Sequence, residues 1–312
     1  MGTIYDRVFG ITMGQAQVHC CFHNDTKASA GISPTGQYNC FTCGAKAASE
    51  SGFISKYFDI GNIRADRIKN ILESCEKYQP SHNPITKEQR DYLHNIGIVD
   101  NIIDKYFTCS NAGKLYSIHT WNGLYLSSTW FNSPILSNYN AGEPKYKYNG
   151  VIGGMCIPYD DVQIYSSLLI CEGEKDMYTA KSIGIPNAVA KLGGCATPLI
   201  AGINFQNKTV VICYDCDDAG RKGAIIDATN LTNKYNCKVK VIDLGLQDKE
   251  DLNDYFVKYG HTKQDFYNLI KSTPLYVQPS IDLNNSRVKR FYESLTDIEK
   301  EELKNIIKEE IK

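Results

Sequence analysis

Two pairs of metal-binding side chains, each with a two-residue gap, stand near the start of the sequence. Cys20 is followed by His23, and sixteen residues further on Cys40 is followed by Cys43. A two-residue gap places both ligands of a pair on one short turn, and two turns of this kind bring four ligands within about 2.0–2.3 Å of one tetrahedral Zn²⁺. Because four protein ligands leave no open coordination position, we expect a structural rather than a catalytic zinc.

The surroundings of this predicted zinc site leave two alternatives open. Cys21 is adjacent to Cys20 and could replace it as a ligand, although only Cys20 gives the two-residue gap that points both side chains into one turn. Phe22, Tyr38 and Phe41 could stack on nucleic-acid bases. Aromatic neighbours of a small zinc module more often form its core, and we expect that role for these rings.

Carboxylates gather at a second place, directly after three predicted strands. Residues 172–176 follow the strand SLLIC, residues 215–218 follow KTVVICY, and residues 248–254 follow the strand that ends at Leu244. Parallel strands bring their carboxyl ends to one edge of a sheet, where α/β folds bind ligands. A single Asp-x-Asp after a strand is as often a helix cap as a metal site. Three acidic groups at ordered strand ends, however, predict that the groups converge.

Carboxylates that lie close together repel one another, which raises their pKa values unless cations neutralise the charge. We therefore expect cations to bind at this edge. Oxygen ligands at few fixed positions suit Mg²⁺ or Mn²⁺, which keep some waters and take other ligands from substrate phosphates. Two such ions a few Å apart can activate a hydroxyl nucleophile and stabilise a pyrophosphate leaving group. The acidic groups therefore predict metal-dependent, in-line displacement at phosphorus.

The elements that must position these residues divide the sequence into five segments. Strands alternate with helices from residue 165 onwards, which is typical of an α/β fold with a parallel, Rossmann-like sheet. Helices are predicted over 87–95 and 99–106, a hairpin over 115–130, and a terminal helix after Thr296, where Glu299 completes a capping box. The predicted segments are 1–60 for the zinc module, 61–84 for a helix and linker, 85–164 for an α+β unit, 165–260 for the parallel sheet and 261–312 for a helical tail.

Composition narrows the classes of function. The 312 residues include 34 basic and 35 acidic side chains, a formal charge of −1, so no global basic field can hold nucleic acid and any such partner must be bound locally. No apolar run approaches the roughly 20 residues of a bilayer span, and no signal pattern opens the chain. Twelve cysteines then indicate metal ligands or buried thiols rather than disulfides, as expected of an intracellular protein.

Taken in order, the sequence motifs resemble a known family. The Cys/His module, EGEKD, YDCDDAGRKGA and KEDLNDY resemble the primase portion of DnaG-type bacterial primases and, more closely in the second half, of phage primase-helicases. The sheet segment is similar to a Toprim domain, which those proteins share with topoisomerases and some nucleases. The resemblance implies a zinc ribbon at 1–60, an N-terminal subdomain of an RNA polymerase core at 85–164 and a Toprim catalytic domain at 165–260.

The resemblance also implies roles for particular residues. Asn253 stands where bacterial enzymes carry a second aspartate, which weakens any claim that it binds metal. The Pro-Lys-Tyr segment at 144–146 resembles one whose lysine belongs to a basic surface. The implied residues are Glu172, Asp215 and Asp217 for catalysis, the same three with Asp176 and Asp251 for Mg²⁺ or Mn²⁺, and Lys145, Lys147, Arg221 and Lys222 for nucleotide or template binding.

The function implied is that of a DNA primase, a nucleotidyltransferase that makes short RNA primers on single-stranded DNA from ribonucleoside triphosphates. No G-x-x-x-x-G-K-[ST] occurs in the chain, so we expect a replicative helicase to be a separate chain. The expected location is the cytoplasm of a bacterium or a phage-infected cell, with no membrane partner. A Toprim nuclease and a non-catalytic DNA-binding accessory protein of replication or recombination are the alternatives. The apolar stripe of the terminal helix (Leu303, Ile306, Ile307 and Ile311) would serve either docking or internal packing.

Overall fold

Three β-sheets follow one another along the chain and are joined by helices. The computed structural model describes residues 3–11, 16–75, 83–278 and 292–310. Within these ranges no helix combines the length and the apolar composition that a bilayer-spanning segment needs.

The first sheet is small and antiparallel, and its four strands pair in chain order. Phe53, fully buried on the helix that follows the sheet, contacts the rings of Tyr38 at 5.0 Å and Phe22 at 5.6 Å between centroids. Aromatic packing thus supplies the core that a module of this size otherwise lacks. The elements are α1 (Ile4–Phe9), β1 (Ala16–Val18), β2 (Ala30–Ile32), β3 (Tyr38–Cys40), β4 (Lys46–Ala47), α2 (Glu50–Phe58) and α3 (Asn62–Cys75).

The second sheet is also antiparallel and follows two short helices. Thr86 caps the first of them in a capping box with Gln89, which fixes the predicted start of that helix. The predicted hairpin is confirmed as the pair β6–β7, and nearly every residue of β7 is buried, so both faces of that strand are covered. The elements are α4 (Lys87–Asn95), α5 (Asp100–Tyr106), β5 (Phe107–Cys109), β6 (Leu115–Trp121), β7 (Leu124–Phe131) and β8 (Tyr146–Asn149).

The third sheet has five strands in the order β13-β12-β10-β11-β9, of which the first four are parallel and β9 is antiparallel at the edge. The strands are β9 (Cys156–Ile157), β10 (Ser167–Cys171), β11 (Ala188–Lys191), β12 (Thr209–Cys213) and β13 (Lys238–Val241). The helices are α6 (Tyr159–Ile164), α7 (Glu174–Ser182) and α8 (Asp218–Tyr235), followed by a π-helical turn (Asp254–Lys258), α9 (Lys263–Ser272) and α10 (Asp297–Glu310).

The register of the two central strands determines where the acidic groups emerge. Cys171 at the end of β10 pairs with Cys213 at the end of β12. The chain therefore leaves both strands at the same level, with Glu172 next to one end and Asp215 two residues beyond the other. The predicted parallel sheet and its ordered strand ends are confirmed.

The segment boundaries predicted from the sequence stay predictions, although two details bear on them. The third sheet includes β9, which lies before residue 165 and is too short, at two residues, to leave a periodic pattern. The predicted linker falls mostly on residues 76–82, outside the described residues. Helix α10 opens with the predicted Thr296–Glu299 capping box. Of the predicted apolar stripe, only the Leu303 side chain is described, and it is half-buried.

A buried ion pair lies directly below the acidic edge of the third sheet. Lys191 Nζ lies 2.6 Å from Asp227 Oδ2, and both side chains are almost completely excluded from solvent. Tyr214, the residue before Asp215, donates its hydroxyl to the same carboxylate at 2.6 Å. The pair therefore ties β11 and α8 to the strand end that carries Asp215.

We expect Lys191→Met to lower the free energy of unfolding by about 3–5 kcal/mol, because the change leaves the Asp227 carboxylate buried without its cation. Urea denaturation measures the loss. The control is Lys234→Met, which removes an exposed partner 3.7 Å from Asp59 and should cost less than about 1 kcal/mol. Equal losses in the two variants would contradict this account of the buried pair.

Candidate functional site

The four predicted zinc ligands come together in the structure. Ligand atoms of Cys20, His23, Cys40 and Cys43 all lie within 4.8 Å of one another. Cys20 Sγ is 3.7 Å from Cys43 Sγ, and Cys40 Sγ is 3.9 Å from His23 Nδ1. Ligands bound about 2.3 Å from one tetrahedral ion are separated by roughly 3.7 Å. The geometry supports zinc binding by this cluster.

Hydrogen bonds around the cluster suit a thiolate metal site. Burial raises the pKa of Cys40, but the Ser29 hydroxyl and the main-chain N–H of Cys43 outweigh burial and lower it to about 6. Tyr38 donates its hydroxyl to Cys20 Sγ at 3.0 Å. Cys21 is half-buried and lies outside the four-residue cluster, and burial raises the pKa of its thiol.

Asp25 supports the first zinc turn, a role that the spacing of ligands does not reveal. Its Oδ2 accepts hydrogen bonds from the Cys20 N–H at 2.6 Å and the Ser29 hydroxyl at 2.8 Å, and its Oδ1 lies 3.7 Å from His23 Nε2. The hydrogen bond from Cys20 is the main reason that the pKa of Asp25 falls to about 2. Asp25 therefore holds the main chain of the first zinc turn and places a carboxylate next to His23.

The three aromatic residues of the module have different environments. Tyr38 is buried and Phe22 is half-buried, and their rings pack on Phe53 in the core that was expected for them. Phe41, by contrast, is 78% exposed. One ring of the three is therefore available to a ligand.

Glu172 bridges the two central strand ends of the third sheet. Its Oε2 accepts a hydrogen bond from the Asp215 N–H, and its Oε1 accepts one from the Cys195 N–H, both at 3.3 Å. The carboxylate therefore faces the Asp215 turn, as the order of the strands predicts.

The Asp215 turn combines crowding of carboxylates with a tight backbone. Burial, followed by the charges of Glu172, Asp251 and Asp217, raises the pKa of Asp215 to about 7. Asp217 is the N-cap of α8, and its Oδ1 accepts the Gly220 N–H at 2.7 Å. A Cβ on Gly220 would lie 2.3 Å from the Asp215 carbonyl oxygen, so only glycine fits this turn.

The third acidic segment follows β13, the strand beyond β12, and meets the first turn of α7. Asp176 is 4% exposed, and its Oδ1 accepts the Asn253 N–H at 3.0 Å. Burial and the neighbouring Asp251 raise the pKa of Asp176 well above its usual range. Asp251 Oδ2 is 2.6 Å from Lys175 Nζ. The Asn253 amide donates to the carbonyl oxygen of Ile96 and to Thr179 Oγ1, each at 2.7 Å, and so holds structure rather than metal.

Glu172, Asp176, Asp215 and Asp251 line one cavity of about 260 Å³, whereas Asp217 lies outside its lining. Among the described residues, no three carboxylate oxygens from different residues of this cavity lie within 4.8 Å of one another, so the acids line a cleft and do not form a closed cage. Such a cleft suits an ion that keeps waters and takes substrate oxygens. The lining residues are Thr129, Lys145, Tyr146, Tyr148, Glu172, Gly173, Glu174, Lys175, Asp176, Gly194, Asp215 and Asp251.

The predicted basic residues divide into two sets. Lys145 lines the acidic cavity. Lys147 is instead paired with Glu143 at 2.9 Å, and Arg221 is paired with Asp218 at 2.7 Å beside a second cavity of about 250 Å³. Lys222 is exposed on α8. The structure thus brings one of the four predicted cations to the carboxylates.

Glu174 is a buried anchor that local sequence patterns did not single out. Its Oε2 lies 2.9 Å from His119 Nε2 and accepts the Ser117 hydroxyl at 2.7 Å, and its Oε1 accepts the Thr129 hydroxyl. Burial raises the pKa of Glu174, but the His119 charge and these hydrogen bonds lower it overall. Strands β6 and β7 therefore fix the start of α7, which carries Lys175 and Asp176.

Comparison with known proteins agrees with this geometry. Residues 169–256 match a family model described as Toprim-like. A DNA primase of Campylobacter jejuni is 25% identical over 301 residues, which cover 74% of this chain and 49% of that protein. A DNA primase of Halalkalibacterium halodurans is 37% identical over 93 residues, which cover 30% of this chain and 15% of that protein. The chain spans about half the length of the first of these relatives.

A crystal structure shares the overall architecture. The Aquifex aeolicus primase, solved with its zinc-binding and RNA polymerase domains, has a TM-score of 0.51 at 19% identity and covers 88% of this chain and 87% of its own. The likeness confirms the predicted fold class. The resemblance to primases and to Toprim domains, indicated by the motifs, is confirmed as well.

We expect Cys20→Ala to lose bound zinc, because the change removes one of four converging ligands, and Cys21→Ala to keep it. Zinc per chain is measured by atomic absorption on both purified variants. Retention of zinc by Cys20→Ala together with its loss from Cys21→Ala would show that the neighbouring cysteine is the ligand.

Proposed function

We propose that this chain is a DNA primase, which joins ribonucleotides into a short RNA primer on single-stranded DNA during replication. The observation that carries the proposal is the contact between Glu172 and the Asp215 turn, in a cavity that Lys145 also lines. The similarity to curated DNA primases and the Cys/His cluster ahead of the Toprim-like segment support it.

The carboxylates at the sheet edge fit a divalent cation. The pKa of Asp215 is raised by burial and by three neighbouring acids, so its charged form calls for a positive partner. Within the described part of the chain, Glu172, Asp215 and Asp217 have no ion pair that would serve this purpose. We assign these three residues to Mg²⁺ or Mn²⁺. Such an ion, when bound, polarises the reacting phosphate and offsets the charge of the leaving pyrophosphate.

Two residues at the start of β8 are placed to hold the incoming ribonucleoside triphosphate. Lys145 lines the cavity, and its Nζ lies 5.2 Å from the centroid of the Tyr146 ring. The Tyr146 hydroxyl is buried without a hydrogen-bond partner among the described residues, and burial raises its pKa well above the usual value, so it stays a donor. Both groups can bind phosphate oxygens, while Glu172 and Asp215 orient the reacting end of the nucleotide from the sheet edge.

Template binding falls to other surfaces. Lys147, Arg221 and Lys222 lie outside the acidic cavity, where they can contact phosphates of the DNA backbone. Phe41, exposed on the zinc module, is available to stack on a base when the module reads a start sequence. With a formal charge of −1, the chain binds template weakly until nucleotide, metal or a partner adds to the contact.

The partners of this function follow from its chemistry. Single-stranded template is supplied by a helicase, and the P-loop that a helicase needs does not occur among these 312 residues. Replication of this kind takes place in the cytoplasm of a bacterium or of a phage-infected cell.

A nuclease that uses the same Toprim carboxylates is the rival function. Incubation of the full chain with single-stranded DNA, Mg²⁺ or Mn²⁺ and labelled ribonucleotides separates the two. A primase makes labelled oligoribonucleotides and leaves the DNA intact. Degraded DNA without new oligomers would establish the nuclease, and neither product would favour a non-catalytic accessory role. A library of template trinucleotides in the same assay identifies the start sequence.

We expect Asp217→Asn to lower the rate of oligoribonucleotide synthesis by about 10²–10³-fold, because it removes a charge that serves the transition state. Asparagine caps helices as well as aspartate, so α8 and the zinc content should be unchanged.

The matched control is Asp248→Asn, which removes an equal charge from an exposed position outside the cavity. We expect its synthesis rate to stay within about twofold of that of the unaltered chain. Synthesis at the unaltered rate by Asp217→Asn would remove Asp217 from the site.

A further inference from the structure

Lys175 places a fixed positive charge inside the acidic cavity. Its Nζ lies 2.6 Å from Asp251 Oδ2, and the two side chains are only 17% and 16% exposed. Lys175 is the second residue of α7, whose start is fixed by the buried Glu174. The ammonium group is therefore held in place by the fold and does not extend freely into solvent.

The two halves of the carboxylate cluster differ in how their charge is compensated. In one half, Asp251 accepts Lys175 on Oδ2 and the Asp254 N–H on Oδ1 at 2.9 Å, and Asp176 accepts the Asn253 N–H. In the other half, Glu172 receives long main-chain hydrogen bonds of 3.3 Å and a hydrogen bond from the Cys195 thiol, and all of these donors are uncharged. Within the described ranges, Glu172 and Asp215 have no cationic side chain in an ion pair.

A second divalent ion in the Asp176–Asp251 half would meet two obstacles. It would compete for the Asp251 carboxylate, whose Oδ2 already contacts Lys175 and whose Oδ1 accepts the Asp254 N–H. It would also stand within a few Å of the Lys175 ammonium, and like charges at that distance repel strongly in a partly buried site. In the Glu172–Asp215 half, no cationic side chain of the described residues is paired with either carboxylate. The Lys175 charge reaches Asp215 as well, but it influences the pKa of that carboxyl less than burial and the neighbouring acids do.

We propose that Lys175 takes the place of a second metal ion, so that the site binds one divalent ion at Glu172 and Asp215 while the Lys175 ammonium neutralises Asp251 and Asp176. The resemblance to primases implies that Asp176 and Asp251 are metal ligands alongside the other three acids. In this proposal they instead hold the lysine. The proposal rests on the proposed function only for what the bound ion does in the reaction, since the number of ions can be counted without any substrate.

The test counts Mn²⁺ ions bound to the full, zinc-loaded chain by electron paramagnetic resonance of free Mn²⁺ during titration. We expect one ion at submillimolar affinity in the unaltered chain and none in Glu172→Gln. Lys175→Met removes the ammonium and keeps the side-chain length, and should bind two ions. The double variant Lys175→Met/Asp251→Asn should return to one.

The matched control is Lys258→Met. It breaks a lysine–glutamate pair with Glu250, next to Asp251, but that lysine is 56% exposed and lies outside the cavity. We expect this variant to bind one Mn²⁺ ion, as the unaltered chain does. Circular dichroism and zinc content verify that each variant is folded, and Lys175→Gln serves as a second neutral variant if Lys175→Met fails this check.

Any count other than one in the unaltered chain overturns the proposal, as does a count of one in the folded neutral Lys175 variant. Loss of the proposed function gives a different result. The unaltered chain could bind one Mn²⁺, gain a second in Lys175→Met and still make no oligoribonucleotides. That result would refute primer synthesis, while the proposal that Lys175 occupies the place of a second metal ion would stand.

Discussion

Carboxylates repel one another at one edge of the parallel sheet, and the contacts that surround this edge compensate for that repulsion. The pairing of Cys171 with Cys213 makes the two central strands end together, and Glu172 and Asp215 are adjacent as a result. Burial and the repulsion between these carboxylates raise the pKa of Asp215 to about 7. Carboxylates with raised pKa values at the carboxyl edge of a parallel sheet are typical of functional sites.

The second sheet completes this edge in two ways. Its side chains bind the first residue of α7, and one of the basic residues of the cavity lies next to it. His119 and Ser117 on β6 bind Glu174, while Lys145, next to β8, lines the cavity. A change in how the two sheets pack would therefore move Lys175 and Lys145 relative to Asp215. The cavity belongs to both sheets, and neither sheet alone would form it.

The sequence predicted those parts of the molecule that depend on local spacing. The zinc quartet lies in two short turns, and Glu172 and Asp215 follow strands that alternate visibly with helices. The pairs Lys175–Asp251 and His119–Glu174 join residues 76 and 55 positions apart, and no local period encodes such a pairing. These pairs form because both partners are buried, and a charged side chain that is removed from water needs a partner of opposite charge or a hydrogen bond.

The Asp215 turn shows why helix cap and metal ligand are not exclusive roles for an Asp-x-Asp sequence. Asp217 Oδ1 accepts the Gly220 N–H and so begins α8, which leaves the other oxygen of the carboxylate for a cation. The same hydrogen bond holds the Asp217 side chain at the sheet edge. The close approach of Gly220 to the Asp215 carbonyl fixes the distance between the two aspartates along the turn. Capping holds the Asp217 side chain in one orientation, so the helix-cap role is compatible with the metal-binding role that we propose for this residue.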